Sequence, residues 1–223
     1  MKKTLLAVLL CVTVLSLCSL GVAADRHPAG ASTVVRNAHP VNPNADTGLK
    51  KIFTNLGPSG DLYDAAVGYF VSGINNGFNG QKQDIAIPFT PKKASTVTKV
   101  EAALQYYNLG TNAAVVGIYK DASGLPGKVL ASKLLKNFSD FGTGCCALAN
   151  WKLATPLAVK KGTQYWIVGT TNKKSADAIN TFDWVYNDAA GNFAFQQDDG
   201  GWIYLSAAYG YPPSACAALG TQP

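Results

Sequence analysis

Phe182, Trp184 and Tyr186 alternate along one stretch of the chain, and Trp202 and Tyr204 along another, with Tyr209 and Tyr211 just beyond. Alternation of period two places each set on one face of a strand. Aromatic faces beside carboxylates are how a binding module stacks a sugar ring and fixes its hydroxyls. Asp183 adjoins Trp184, and Asp198 and Asp199 precede Trp202. Trp184, Tyr186, Trp202, Tyr204, Asp183, Asp198 and Asp199 are therefore the candidate ligand-binding residues. The competing assignment is core packing, since alternate aromatics on sandwich strands commonly face inward. Trp166, between Tyr165 and Ile167, is assigned to the core.

Catalytic chemistry finds little support. A glycosidase needs two carboxylates flanking the scissile bond. The single glutamate, Glu101, shares a strand face with Lys99 and Gln105, expected to be exposed, so a surface ion pair is the better reading. Both histidines, His27 and His39, precede the strand-rich part, which takes the usual general base away from a site. No glycine-rich phosphate loop opens a helix. The chain is expected not to be an enzyme and to need no cofactor. Asp183, Asn187 and Asp188, and the Asp198-Asp199 pair, could offer oxygens to calcium, but Asp and Asn also dominate turns for backbone reasons. No metal site is assigned.

The elements that would position these residues are short runs separated by Gly, Asn, Asp and Pro. Ile85, Ile87 and Phe89 alternate with Ala86, Pro88 and Thr90, and similar runs cover 98–106, 113–119, 129–135, 149–153, 164–171, 181–186, 192–196 and 202–206. No amphipathic helix exceeds two turns. The 223 residues are 48% hydrophobic and 14% charged, enough apolar material for a core and too little charge for disorder. The fold expected is all-β: a two-sheet antiparallel β-sandwich, jelly-roll-like, over residues 51–223.

Two segments come before it. Lys2 and Lys3, an apolar run from Leu5 to Leu20 and the small residues Val22 and Ala24 are the marks of a secretory signal peptide over 1–24, cut after Ala24. Cys18 does not suit lipoprotein processing, because the bulky Leu17 precedes it. Residues 25–50, rich in Pro, Ala, Asn and Ser, read as a flexible linker. Cleavage takes two lysines from 19 basic residues, leaving 17 against 13 acidic ones, a net charge of +4. The lysines are scattered rather than clustered, so a nucleic-acid partner is not expected. The mature chain is expected to be secreted, with no stable membrane insertion and no feature that fixes an oligomeric state.

Cys145, Cys146 and Cys216 remain after cleavage. Export permits a disulfide, and the odd count leaves one thiol over. An adjacent bridge and a bridge from either to Cys216 are both open on the residues alone.

Lys51-Ile52-Phe53-Thr54-Asn55-Leu56-Gly57-Pro58, Gly68-Tyr69-Phe70-Val71-Ser72-Gly73, Ile87-Pro88-Phe89-Thr90, Ile118-Tyr119-Lys120-Asp121 with Gly124-Leu125-Pro126-Gly127, Gly162-Thr163-Gln164-Tyr165-Trp166-Ile167-Val168 and Asp198-Asp199-Gly200-Gly201-Trp202 follow one another in order. Together they resemble the secreted bacterial β-sandwich domains called choice-of-anchor R. The similarity covers about residues 51–221. It implies an exported, surface-associated or matrix protein with no assigned chemistry. The chain ends without the apolar tail that often follows in that family, so free secretion is the simpler expectation. The resemblance also implies a vicinal Cys145–Cys146 bridge with Cys216 an inert thiol. Against that, a bridge to Cys216 would close a loop of about seventy residues, stabilising by about 4 kcal/mol in the chain-entropy model. It would also tie down the final strand, and the balance here goes to the long-range bridge.

The expected function is a non-catalytic extracellular module that binds a polysaccharide or cell-surface glycan, or takes part in surface or matrix adhesion. The alternatives are a purely structural envelope or matrix protein without a small ligand, and a secreted glycoside hydrolase relying on aspartates.

Overall fold

The computed structural model describes residues 28–32, 48–198 and 200–223. The expected signal peptide lies outside the described residues, as do most of the expected linker and the candidate Asp199. The strands are β1 (Gly30–Ser32), β2 (Lys50–Thr54), β3 (Tyr63–Ser72), β4 (Gln83–Phe89), β5 (Ser95–Ala102), β6 (Leu104–Leu109) and β7 (Ala113–Ala122). They continue as β8 (Leu125–Lys136), β9 (Ala149–Val159), β10 (Tyr165–Thr170), β11 (Ile179–Val185), β12 (Phe193–Gln197), β13 (Ile203–Leu205) and β14 (Cys216–Thr221). The chain is an all-β, two-sheet antiparallel sandwich. Among the described residues no helix is long and apolar enough to cross a membrane.

The large sheet runs β6-β11-β3-β4-β10-β7-β8, with β1 beside β3 and the β12–β13 hairpin joined to β4. The small sheet runs β2-β14-β5-β9. Period-two alternation makes the core between them. Tyr69 and Val71, Ile85, Ile87 and Phe89, Tyr165 and Ile167, and Phe193 and Phe195 point from the large sheet toward Val97, Val100, Trp151, Leu153, Cys216 and Ala218 of the small one. The opposite face of the large sheet has its own layer, in which Ala86, Trp166, Val168 and Ala194 are buried together. The edge strand β8 exposes Lys128, Lys133 and Lys136, charges that discourage pairing with another chain's edge.

Two expectations need correction. Part of the stretch read as a linker is a strand: β1 pairs with β3 from Gly30↔Tyr69 to Ser32↔Val67. A Cβ on Gly30 would lie 2.6 Å from the Gly68 carbonyl oxygen, so glycine is what lets this segment come so close. Three residues are too few to show a period. The second correction concerns residues 98–106. They are not one half-exposed strand but β5 and β6, which belong to different sheets and break at Ala103. The face expected to be exposed is covered: Lys99 is 7% exposed and Gln105 0%. The expected Lys99–Glu101 ion pair does form, at 2.8 Å, but in this largely buried setting.

Candidate functional site

The aromatics of β11 do not share one environment. Its register against β3 shifts between Asp183 and Trp184. Backbone bonds hold this irregular turn: Asp183 N–H donates to the Ala103 carbonyl at 2.8 Å, and Ala215 N–H donates to the Asp183 carbonyl at 2.8 Å. Phe182 enters the core, Trp184 is half-buried at its border, and Tyr186 is exposed past the strand end. Asp183 turns to the other face and is buried.

Trp202 and Tyr204 stand elsewhere. Tyr204 pairs with Ala194, its ring meeting Trp166 edge-on with centroids 6.4 Å apart, and Trp202 packs against the layer of Ala86, Trp166, Val168 and Ala194. That layer covers the face of the large sheet turned away from the inter-sheet core, whereas Trp184 packs against the core itself. The two tryptophans therefore do not form one platform. Asp198 sits at an exposed turn, where its carboxylate accepts from Lys82 N–H at 3.0 Å and its own N–H donates to the Lys82 carbonyl at 2.8 Å. That is a turn latch. Trp166 is the structural residue expected: it is fully buried and donates its indole N–H to Asp121 at 2.8 Å.

What the structure does bring together is a hollow of about 260 Å³ lined by Trp184, Tyr69, Tyr211, Val67, Gly68 and the β1 segment. Trp184 rests against Tyr69 with ring centroids 5.3 Å apart, and Tyr69 stacks in turn on Phe193 at 4.9 Å. The Tyr69 hydroxyl donates to the Pro212 carbonyl at 2.9 Å, so the ring is fixed at both ends. Burial, and secondarily Tyr211, push its ionisation upward, so Tyr69 remains a neutral donor. The indole N–H of Trp184 is buried and meets no acceptor among the described residues. No carboxylate or histidine is among the described residues lining the hollow. Of the candidate residues Trp184 lines this hollow, and Tyr69 and Gly68, which line it too, were not among the candidates. Their signal was the Gly-Tyr step inside β3, meaningful only once β1 is known to lie across it.

A second hollow, about 210 Å³, runs between Lys136–Ser139 and Ala147–Asn150. Phe138 is its one aromatic, and that ring belongs to the core. Among the described residues no three His, Cys, Asp or Glu side chains converge as metal ligands would.

No known family model, curated protein or solved structure matches this chain.

The cysteines correct a further expectation. Cys145 is bridged to Cys146, and Cys216 is a free, buried thiol. The reason is the direction of neighbouring side chains. Ala215 packs with Tyr63, Val185 and Cys146 in a satellite cluster, while Cys216, one residue on, points into the inter-sheet core. Leu62 N–H lies 3.3 Å from both bridged sulfurs, which anchors their loop to the start of β3. Burial pushes the Cys216 thiol far upward, so it is inert.

Proposed function

We propose that this chain is a non-catalytic extracellular module that binds a glycan in the hollow beside Trp184. The observation that carries the reading is the convergence of Trp184, Tyr69 and Tyr211 on one concave site whose described lining holds no carboxylate pair. Flat rings offer stacking area for the C–H face of a sugar, and their polar edges offer orientation. About 260 Å³ is smaller than the roughly 300–1,000 Å³ of drug-sized ligand sites, which suits a single sugar ring or chain end. Hydrolysis needs an acid and a second carboxylate across the scissile bond, and the hollow's described lining supplies neither. The signal-peptide features of residues 1–24 and the resemblance to choice-of-anchor R domains favour an extracellular setting and a role in adhesion.

A glycan array probed with the purified protein tests this. Binding to a defined polysaccharide that Trp184→Ala abolishes supports the reading. Absence of any binder favours the purely structural role, and turnover of an arrayed polysaccharide favours the hydrolase.

A further inference from the structure

Beneath the loop that carries the Cys145–Cys146 bridge, on the face of the large sheet turned from the core, lies a knot of polar side chains that the glycan reading does not use. Gln105 of β6 and Thr181 of β11 are directly opposed register partners. Both are 0% exposed. Thr181 Oγ1 lies 3.5 Å from the backbone oxygen of Gln105. The Gln105 Nε2 group donates to the Tyr63 hydroxyl at 3.3 Å and to the Gly144 carbonyl at 3.1 Å, while its Oε1 meets no donor among the described residues. Asp183 stands two residues along the strand, also 0% exposed, and neither of its carboxyl oxygens meets a donor in good hydrogen-bond geometry among the described residues, the nearby Thr181 hydroxyl included. Thr181 and Asp183 flank the same point above Gly68: a Cβ there would lie 2.7 Å from Asp183 Oδ1 and 3.1 Å from Thr181 Cβ.

Buried oxygens on Gln105 and Asp183 without good partners among the described residues are costly in a dry interior, and such groups in a native protein call for an explanation. A hydroxyl, a carboxamide and a carboxyl group supply one. We propose that Thr181 and Gln105 are joined by an intramolecular ester bond, with Asp183 as the proton carrier. Thr181 Oγ1 attacks Gln105 Cδ, forming the Oγ1–Cδ bond, and the Cδ–Nε2 bond breaks. One Asp183 oxygen gives its proton to the departing nitrogen while the other takes the proton of the Thr181 hydroxyl. Ammonia leaves, Asp183 ends as it began, and no oxidant or co-reactant is required.

The geometry suits the product. Directly opposed residues hold their Cβ atoms about 4.5–5.5 Å apart. The ester connects those atoms through four bonds of about 1.3–1.5 Å, a span of up to about 5 Å. Burial holds the Asp183 carboxyl well above the usual carboxylate range, more strongly than the nearby Thr181 hydroxyl lowers it, and Asp64 raises it further, so the proton to be delivered is present. Exclusion of water protects the ester once formed. Since β6 is an edge of the large sheet, the bond would clamp that edge to β11 and keep it from peeling under tension.

Mass spectrometry of the full chain, purified and reduced, tests the proposal. Its mass should fall short of that calculated from the observed N-terminus by one ammonia. Peptide mapping should recover the Gln105 and Thr181 peptides joined, and alkaline hydroxylamine should separate them. The near-isosteric Thr181→Val and the variant Asp183→Asn should both show the full calculated mass. Wild-type protein at full mass with the two peptides unlinked overturns the proposal, even if neither variant folds. An ammonia loss that persists in Thr181→Val, or that maps elsewhere, overturns it too.

Discussion

The Trp184 indole rests against the Tyr69 ring, centroids 5.3 Å apart and planes inclined at 48°. Contact with one buried ring leaves the rest of Trp184 at the border of a hollow rather than inside the core. Trp166, by contrast, is enclosed on all sides. The two should therefore respond differently to truncation. Trp166→Ala should lose about 3–5 kcal/mol of stability, the range for a buried aromatic. Trp184→Ala should lose clearly less, because its space already opens to the hollow. Thermal melts compare them, at about 2–4 °C per kcal/mol for a chain of this size. Equal losses would assign Trp184 to the core.

Asp121 should stabilise the protein through the hydrogen bonds it accepts. Gly124 N–H at 3.0 Å, the Trp166 indole at 2.8 Å and Gln164 Nε2 at 2.7 Å converge on its carboxylate. Desolvation pulls this carboxyl upward, but the three hydrogen bonds together hold it below its ordinary value. A lowered acid in the folded state gives stability that is present above about pH 4 and lost as pH falls through the folded value. Asp121→Ala should flatten that acid limb in urea titrations at several pH values. Leaving the Trp166 donor unpaired should also cost about 1–3 kcal/mol at neutral pH.

Asp183 should act with the opposite sign. Its carboxyl is raised by burial and by Asp64, so the folded chain holds a proton that the unfolded chain releases near pH 3.9. Stability should then fall as pH rises from about 4 toward the raised folded value, by at most about 1.4 kcal/mol per pH unit. In Asp183→Asn this part of the pH dependence should vanish, whatever the variant's absolute stability. A slope unchanged by the substitution would contradict the assignment.

Cys145, Cys146 and Cys216 should separate cleanly in a thiol assay of the chain from Asp25 onward, which lacks Cys11 and Cys18. The native, unreduced protein should react slowly or not at all, because Cys216 is buried and Cys145 and Cys146 are joined. Denaturation without reductant should release one thiol. Reduction should then add two more. Opening so small a ring should cost little stability in the chain-entropy model, where the benefit grows with loop length. A peptide linking Cys216 to either partner would contradict the pairing.

Most strands were legible because alternation reports a half-buried face directly, as in Ile85-Ala86-Ile87 or Phe193-Ala194-Phe195. The site was less so. The same alternation placed Phe182, Trp184 and Tyr186 together, but the register shift after Asp183 sends them to different surroundings. Trp184 and Trp202 carry the same residue type near similar turns, yet which face each covers depends on pairings distant in sequence. Gln105 was expected to be exposed because its strand looked continuous with β5. It is buried because the chain changes sheets at Ala103, a break that small apolar residues do not announce. The cysteine pairing turned on one residue of register between Ala215 and Cys216, which loop-length arguments do not contain.

The chain's four tryptophans let the proposed glycan site be tested directly, since each indole N–H gives one cross-peak in a nitrogen–proton correlation spectrum. Trp184→Phe assigns the Trp184 peak by its loss. Titration with soluble oligosaccharide fragments of bacterial cell-surface polysaccharides should move that peak. The Trp166 peak, held by Asp121, and the Trp151 and Trp202 peaks should stay in place. If a bound oligosaccharide leaves the Trp184 peak fixed, or shifts Trp202 instead, the hollow beside Trp184 is not the binding site.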